Sequence, residues 1–159
     1  MRATLIKLDA HPATVGKVQI VDRAAHNDSD GNALLRVRVS LRVDDLTAEQ
    51  VETTAAPQLG HAMLGALAPE TDRHVNKLAI RRDYVCLGIE LAHPDFSGVD
   101  LHDAAVVGTP ILQDAQGVAG FAFVVEVVQT VEECADLLRL VAAEVALTTH
   151  DLQLDLLGG

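Results

Sequence analysis

The chain has 159 residues, of which 49% are hydrophobic, 22% charged and 3% aromatic. This length predicts one domain with a sizeable core, and the composition excludes a disulfide-rich mini-protein, a collagen-like repeat and a disordered tail. No apolar run approaches the ~20 residues of a membrane-spanning helix. The first eight residues also lack the apolar centre of a signal peptide. We therefore expect a soluble, cytoplasmic protein.

The net charge of −11 is distributed unevenly along the chain. Residues 1–82 hold eleven of the twelve Lys and Arg residues and ten acidic residues, for a net charge of +1. Residues 83–159 hold thirteen acidic residues and one cation, for a net charge of −12. Because the acidic half would repel phosphate backbones, nucleic-acid binding is expected only at a local basic face of the first half.

The two cysteines, Cys86 and Cys134, lie among apolar neighbours and form no CxxC pair. This setting is typical of buried free thiols in a reducing compartment, although a disulfide between them is left open. No base lies close in sequence to activate either thiol, so neither is predicted to be a nucleophile.

The first half begins with strand signals. Residues 3–8 predict an edge strand and residues 18–21 a second strand, followed by a turn at residues 27–32 (NDSDGN). Residues 35–43 then alternate strictly between two faces. One face holds Leu35, Val37, Val39, Leu41 and Val43, and the other holds Arg36, Arg38, Ser40 and Arg42. This period of two predicts a β-hairpin with one buried face and one wet, cationic face.

Two helical pieces are predicted after the hairpin. Thr47 and Gln50 have the spacing of a capping box, and the helix that they open is interrupted near Pro57. Residues 58–67 form the second piece, and strand character returns over residues 75–92.

In the second half of the chain, the predicted order of elements is loop, strand, turn, strand, helix and strand. Residues 93–103 predict a loop, residues 104–112 a strand and residues 113–117 a turn. Residues 118–128 form a nearly continuous β-prone run, which indicates a central strand buried on both faces. A second capping box, Thr130 and Glu133, opens an amphipathic helix over residues 130–146, and residues 152–156 alternate like a last strand. The inward face of this helix is predicted to hold Val131, Cys134, Leu137, Leu138, Val141 and Val145.

The order strand, turn, strand, capped helix occurs twice along the chain. The turn residues Gly31 and Gly117 are 86 positions apart, and the capping residues Thr47 and Thr130 are 83 apart. This spacing suggests an internal half-repeat of residues 1–82 and 83–159. We therefore predict a single α+β domain over residues 1–159, with a mainly antiparallel sheet of about six to eight strands and two helical segments on one face.

An arginine row is the candidate nucleic-acid site. Arg36, Arg38 and Arg42 share one strand face, and Arg81 and Arg82 follow later in the sequence. The same row is also what the solvent side of a half-buried strand looks like, or a partner for the acidic half of the chain. Few aromatic residues are present to stack on bases, namely Phe96, Phe121, Phe123 and Tyr84.

The best acid–histidine cluster lies in the predicted loop and consists of His93, Asp95, Asp100, His102 and Asp103. Two imidazoles and three carboxylates could bind a divalent metal, or pair a base with an orienting acid. Their spacing matches no specific zinc or hydrolase signature, and a solvated loop is the alternative. An EF-hand around Gly31 is excluded, because His26 and Val37 would stand where acidic ligands are required.

No Walker-type loop, GxGxxG or GxSxG motif occurs, and no cofactor is predicted. We expect a non-catalytic binding or assembly module that partners itself as a homo-oligomer. Strand 118–128 needs cover on both faces, and the Ala/Gly-rich helix 55–67 could pack closely on a neighbour. The alternatives are a nucleic-acid accessory protein that uses the arginine face and a metal-assisted enzyme at the 93–103 loop.

The duplicated unit, with two helices on one sheet, resembles in layout a domain of a processivity clamp. In that family the paired helices are basic and line a DNA channel. Helix 130–146 departs from this pattern, since Arg139 is its one cation beside Glu132, Glu133, Asp136 and Glu144. The compact, acidic, aromatic-poor chain also resembles small accessory proteins of bacteriophages.

Overall fold

The computed structural model describes residues 5–47, 49–50, 76–80, 84–115 and 118–151. Within these ranges it contains seven strands and the helix α1, and residues 49–50 are also helical. In chain order they are β1 (His11–Arg23), β2 (Leu34–Val43), β3 (Asn76–Ala79), β4 (Leu87–Ala92), β5 (Val99–Ala115), β6 (Val118–Thr130), α1 (Val131–Arg139) and β7 (Glu144–Asp151).

Six strands close into an antiparallel barrel in the order β5-β4-β7-β1-β2-β6, with β6 pairing back to β5. The short strand β3 pairs with the second half of β5. The predicted α+β fold, with two helical segments on one face of a sheet, is therefore wrong. The inner face of the closed sheet is covered by its own side chains, so it needs no helical layer. The clamp-like layout, which requires two helices on one sheet, is wrong for the same reason.

The barrel interior is built from alternating residues of the long strands. β2 and β6 pair from Leu34↔Thr130 to Val43↔Phe121. Their inward side chains are almost completely buried, namely Val37, Val39, Leu41 and Val43 from β2 and Phe121, Phe123, Val125 and Val127 from β6. The outward side chains of β6 are half-buried or exposed. The prediction that residues 118–128 form a central strand is thus correct, but this strand is fully buried on one face only.

The predicted hairpin is confirmed as the antiparallel pair β1–β2. In its turn, a carboxylate oxygen of Asp28 accepts hydrogen bonds from the backbone N–H groups of Asn32 (2.7 Å) and Asp30 (2.9 Å). These bonds, the one from Asn32 above all, hold the pKa of Asp28 below its ordinary value. β1 is longer than predicted because register shifts after Val15 and Ile20 break its alternation.

Strand β5 runs through much of the predicted loop 93–103 and into the predicted turn 113–117. Val99 and Leu101 are buried, whereas Asp100 and His102 are exposed, so the first part of β5 alternates as a half-buried strand does. Asp103 (φ 59°) and Gly108 (φ 70°) have positive φ values and bend the strand. Residues 99–103 were predicted as a loop because charged residues are concentrated there and the bend interrupts the alternation of the strand.

Helix α1 packs against β2, β5 and β6 and is inserted between β6 and β7. Its predicted capping box is confirmed, because Thr130 Oγ1 accepts from Glu133 N (3.2 Å) and Glu133 Oε1 accepts from Thr130 N (2.9 Å). The helix ends at Arg139 rather than at residue 146, since Ala142 has φ 66° and β7 begins at Glu144. Cys134, Leu137 and Leu140 face the core.

The predicted edge strand at residues 3–8 is not a strand over its described part, residues 5–8. Leu5, Ile6 and Leu8 instead pack into the core. Leu8 O accepts a hydrogen bond from Thr149 N (3.0 Å) near the end of β7 that lies away from α1. This segment therefore contributes side chains to the core rather than an edge to the sheet.

The barrel is symmetric in its strand order. If β1, β2 and β4 are exchanged with β5, β6 and β7, respectively, strands that were neighbours are still neighbours. An internal half-repeat would have this property. The reciprocal capping bonds of Thr47 and Gln50 are present (2.9 and 3.1 Å), but residues 51–67 of the two predicted helical pieces lie outside the described residues, as do residues 152–156 of the predicted last strand. The half-repeat stays a prediction.

Candidate functional site

The arginine row lies on the outer face of β2, and each described arginine in it contacts a carboxylate. Arg36 binds both carboxylate oxygens of Asp22 on β1, with its Nε 2.8 Å from Oδ1. This contact lowers the pKa of Asp22 and raises the pKa of Arg36. The pair lies across the β1–β2 ladder, where Asp22 and Arg36 are register partners.

The rest of the row is paired in the same way. Glu126 on β6 accepts from Arg38 Nε (2.9 Å) and lies 3.6 Å from Arg36, while Arg42 Nε donates to Asp44 (2.9 Å). The row is therefore a ladder of ion pairs, and Glu126 is the partner that the acidic half supplies. The nucleic-acid hypothesis stays a prediction, and this pairing gives it no support. Arg81 and Arg82 lie outside the described residues.

The five residues of the metal hypothesis are spread along a loop and a strand. The rings of His93 and Phe96 stack at 4.7 Å, and His93 Nδ1 accepts from Asp95 N (3.0 Å). Asp100, His102 and Asp103 are exposed on β5. Among the described residues, which include all five, no three His, Cys, Asp or Glu side chains lie close enough to hold a metal ion. The structure does not assemble these donors into one site.

A long depression crosses the outer face of β1, β2, β6 and β5, and we call it the outer trough. It consists of two adjoining cavities of about 380 and 460 Å³, which share Ser40, Val107, Gly108 and Val124. Lys17, Gln19 and Arg38 line one end. Thr14, Arg42, Ile111 and Ala122 line the other.

Two features form the outer trough, namely the small residues Gly16 and Ser40 in its floor and a bend in β5 at its edge. A Cβ at Gly16 would lie 3.6 Å from Ser40, so a larger side chain there would stand over the trough floor. On the opposite side, the β5–β6 register shifts between Val107 and Ile111, at the positive-φ residue Gly108. Sequence reasoning missed the trough, because its residues come from four strands and share no motif.

Helix α1 carries a second exposed apolar surface, which we call the outer stripe. It consists of Val131, Ala135 and Leu138, whose spacing of i, i+4 and i+7 places them on one side of the helix. Val131 is 59% exposed and Leu138 is 49% exposed. Val141, which lies beyond the end of the helix, is 37% exposed, so the prediction that Val131, Leu138 and Val141 face inward is wrong.

No protein-family model, curated protein or solved structure matches the chain. None of the helices in the described part of the chain is long and apolar enough to cross a membrane.

Proposed function

We propose that the chain is a non-catalytic assembly module that forms a homodimer through the outer stripe of α1. The observation that carries this proposal is the contrast between two neighbouring leucines of the helix. Leu137 is completely buried against the barrel, whereas Leu138 is half exposed and, with Val131 and Ala135, forms an apolar surface that faces away from the core. The part of the fold that the structure describes does not cover this surface, so it is available to a second copy.

The charges of α1 favour a second copy in an antiparallel orientation. The first turn is acidic, with Glu132 and Glu133, and the last turn is basic, with Arg139. A two-fold axis near Ala135 would place the first turn of one helix beside the last turn of the other, so Glu132 of each copy would lie near Arg139 of the other. This orientation also brings opposite ends of the two helix dipoles together. The small Ala135 side chain would let the helices approach closely.

The size of the outer stripe predicts a weak dimer. A nine-residue helix offers less than the ~1,200 Å² that stable interfaces bury, so we expect dissociation constants in the micromolar range. Two copies of net charge −11 also repel each other, and moderate salt should screen this repulsion and strengthen association. A cytoplasmic location is part of this proposal, since Cys134 is a reduced thiol buried on the inner face of α1.

Sedimentation equilibrium over a range of protein and salt concentrations tests the proposal. We expect a monomer–dimer equilibrium in the wild type and a monomer in the double variant Val131→Ser/Leu138→Ser. Phe96→Ser is the matched control, because Phe96 is 46% exposed on a different part of the surface, and it should dimerise like the wild type. A wild type that stays monomeric at several hundred micromolar, or a double variant that dimerises normally, would contradict the proposal.

A further inference from the structure

We propose that the outer trough binds a small amphipathic carboxylate. Its aliphatic chain would lie along β2 and β6, and its carboxylate would lie between Lys17 and Arg38. This inference is independent of the proposed dimer, which uses a different surface. It depends on the shape of the trough, on the polarity of its two ends and on the hydrogen bonding of its floor.

The shape of the trough suits an extended chain. Arg38 and Arg42 lie at opposite ends, four residues apart on β2, which corresponds to about 13 Å along a strand. The two adjoining cavities, of about 380 and 460 Å³, each fall within the range of ~300–1,000 Å³ that is common for small-molecule sites. The trough can therefore hold a narrow ligand of roughly ten heavy atoms along its length.

The two ends of the trough differ in polarity. Lys17 is exposed and makes no ion pair among the described residues. Arg38 uses Nε for Glu126 and makes no hydrogen bond through its terminal nitrogens to any described residue. Lys17 therefore supplies the positive charge that is not already paired, and the terminal nitrogens of Arg38 supply further hydrogen-bond donors for one carboxylate. At the opposite end, Ala122 and Ile111 form a mainly apolar lining that suits an aliphatic tail. Arg42 also lines this end, but its Nε is bound to Asp44.

The floor of the trough favours an aliphatic chain over a peptide. β2 is paired with β1 on one side and with β6 on the other, so its backbone N–H and C=O groups are used within the barrel. Ser40 supplies the hydroxyl at the centre of the floor, where the two cavities join. A bound peptide would lose the hydrogen bonds that its N–H and C=O groups make to water, and the floor would offer few hydrogen bonds to replace them. An aliphatic chain has no such groups, so it needs no hydrogen-bond partners in the trough.

Calorimetric titration with decanoate, kept below the concentration at which it forms micelles, tests this inference. We expect saturable binding of one decanoate per chain, and weaker binding of decanol, which lacks the charge. Gly16→Leu should weaken binding at least tenfold, because the new side chain stands over Ser40. A Cβ at Gly16 meets Ser40 at an ordinary contact distance of 3.6 Å, so this variant is expected to fold.

Two charge variants test the carboxylate end. Lys17→Glu should weaken decanoate binding about fivefold, which corresponds to one exposed charge interaction, and should leave decanol binding unchanged. Lys7→Glu makes the same charge change at an exposed lysine that does not line the trough, and it should bind decanoate like the wild type. The stripe variant Val131→Ser/Leu138→Ser should also bind normally, which separates this site from the dimer surface.

Three results would overturn the inference. The first is the absence of saturable decanoate binding to the wild type. The second is binding that is unchanged in both Gly16→Leu and Lys17→Glu, because the ligand would then occupy another surface. The third is equal affinity for decanoate and decanol, which would show that no cation recognises the carboxylate. Circular dichroism of each variant confirms that a loss of binding is not a loss of fold.

Discussion

Gly120 on β6 and Asp44, just after β2, approach each other so closely that a side chain at position 120 would force its neighbours to shift. A Cβ placed on Gly120 would lie 2.9 Å from Asp44 Oδ1, 3.2 Å from an Arg42 terminal nitrogen and 3.2 Å from Val43 O. The carboxylate of Asp44 is also the ion-pair partner of Arg42. The backbone oxygen of Asp44 accepts a hydrogen bond from His11 Nε2 (2.6 Å). The missing side chain thus makes room for the contacts at this end of the barrel.

We therefore expect Gly120→Ala to lower the free energy of unfolding by about 1–3 kcal/mol, as overpacking of a close contact does. Thermal and urea unfolding measure the change. Gly16→Ala is the matched control, because its Cβ would find ordinary contacts at 3.6 Å, and it should be neutral or stabilise by up to ~1 kcal/mol. Equal stabilities for the two variants would show that Gly120 is not required for close approach.

Leu137 and Leu138 give a direct test of which face of α1 is buried. Leu137→Ala removes a fully buried side chain and should lower the free energy of unfolding by about 2–5 kcal/mol. Leu138→Ala removes a half-exposed side chain and should change it by less than about 0.5 kcal/mol in dilute, monomeric protein. Urea unfolding at low protein concentration measures both. Similar losses in the two variants would contradict the orientation of the helix.

The Asp22–Arg36 pair predicts a contribution to stability that depends on one arginine and is lost at low pH. Arg36 holds the pKa of Asp22 below its ordinary value of 3.8, chiefly through the hydrogen bond between the two side chains. The pair therefore stabilises the fold fully above that pH, and its contribution is lost as the pH falls through the lowered pKa. Arg36→Gln should return the pKa of Asp22 towards 3.8.

Carboxyl NMR titration of Asp22 in the wild type and in Arg36→Gln measures this change. The difference in melting temperature between the two proteins should be small at neutral pH and should vanish in strong acid, where Asp22 is protonated in both. Arg38→Gln is the control, because Arg38 pairs with Glu126 and makes no contact with Asp22 among the described residues. A pKa of Asp22 that does not respond to Arg36→Gln would refute the pairing.

The thiols of Cys86 and Cys134 should differ in reactivity. Cys134 is buried on the inner face of α1, and burial raises the pKa of its thiol, whereas Cys86 is half-buried. In the native protein at pH 8, a thiol reagent should label Cys134 at least about tenfold more slowly than Cys86. Peptide mapping by mass spectrometry assigns the sites, and unfolding in urea should remove the difference. Equal native rates would show that α1 opens readily.

Local features were predictable from the sequence because they depend on near neighbours in the chain. The alternation of residues 35–43 predicted β2 and its two faces, and the NDSDGN turn predicted the hairpin with β1. The spacing of Thr130 and Glu133 predicted the start of α1, and the capping bonds are present. The paired arginines were also foreseen as one alternative, since outward arginines on a strand meet whatever lies across the ladder.

The predictions from the sequence were wrong in two situations. In one, the structure depends on contacts between residues that are distant in the chain. In the other, a bulge or a bend interrupts the period of the hydrophobic pattern. Bulges in β1 and positive-φ residues in β5 broke the period of two, so β1 was predicted too short and the first part of β5 was predicted as a loop. The end of α1 was placed too late because the apolar spacing continues past Arg139 into β7. The donors from His93 to Asp103 looked like a cluster because they are close in sequence, yet a bent strand spreads them apart.

The sequence by itself determined which residues of β2 face inward, where the hairpin turns and where α1 begins. Only the tertiary structure decided that the strands close into a barrel, since pairs such as Leu34↔Thr130 and Gly88↔His150 join residues far apart in the chain. The physical reason is that a period of two specifies the faces of a strand and leaves its neighbours open, so an open sheet and a closed barrel share one pattern. The outer trough and the outer stripe follow from that closure, because it settles which side of each element the core uses.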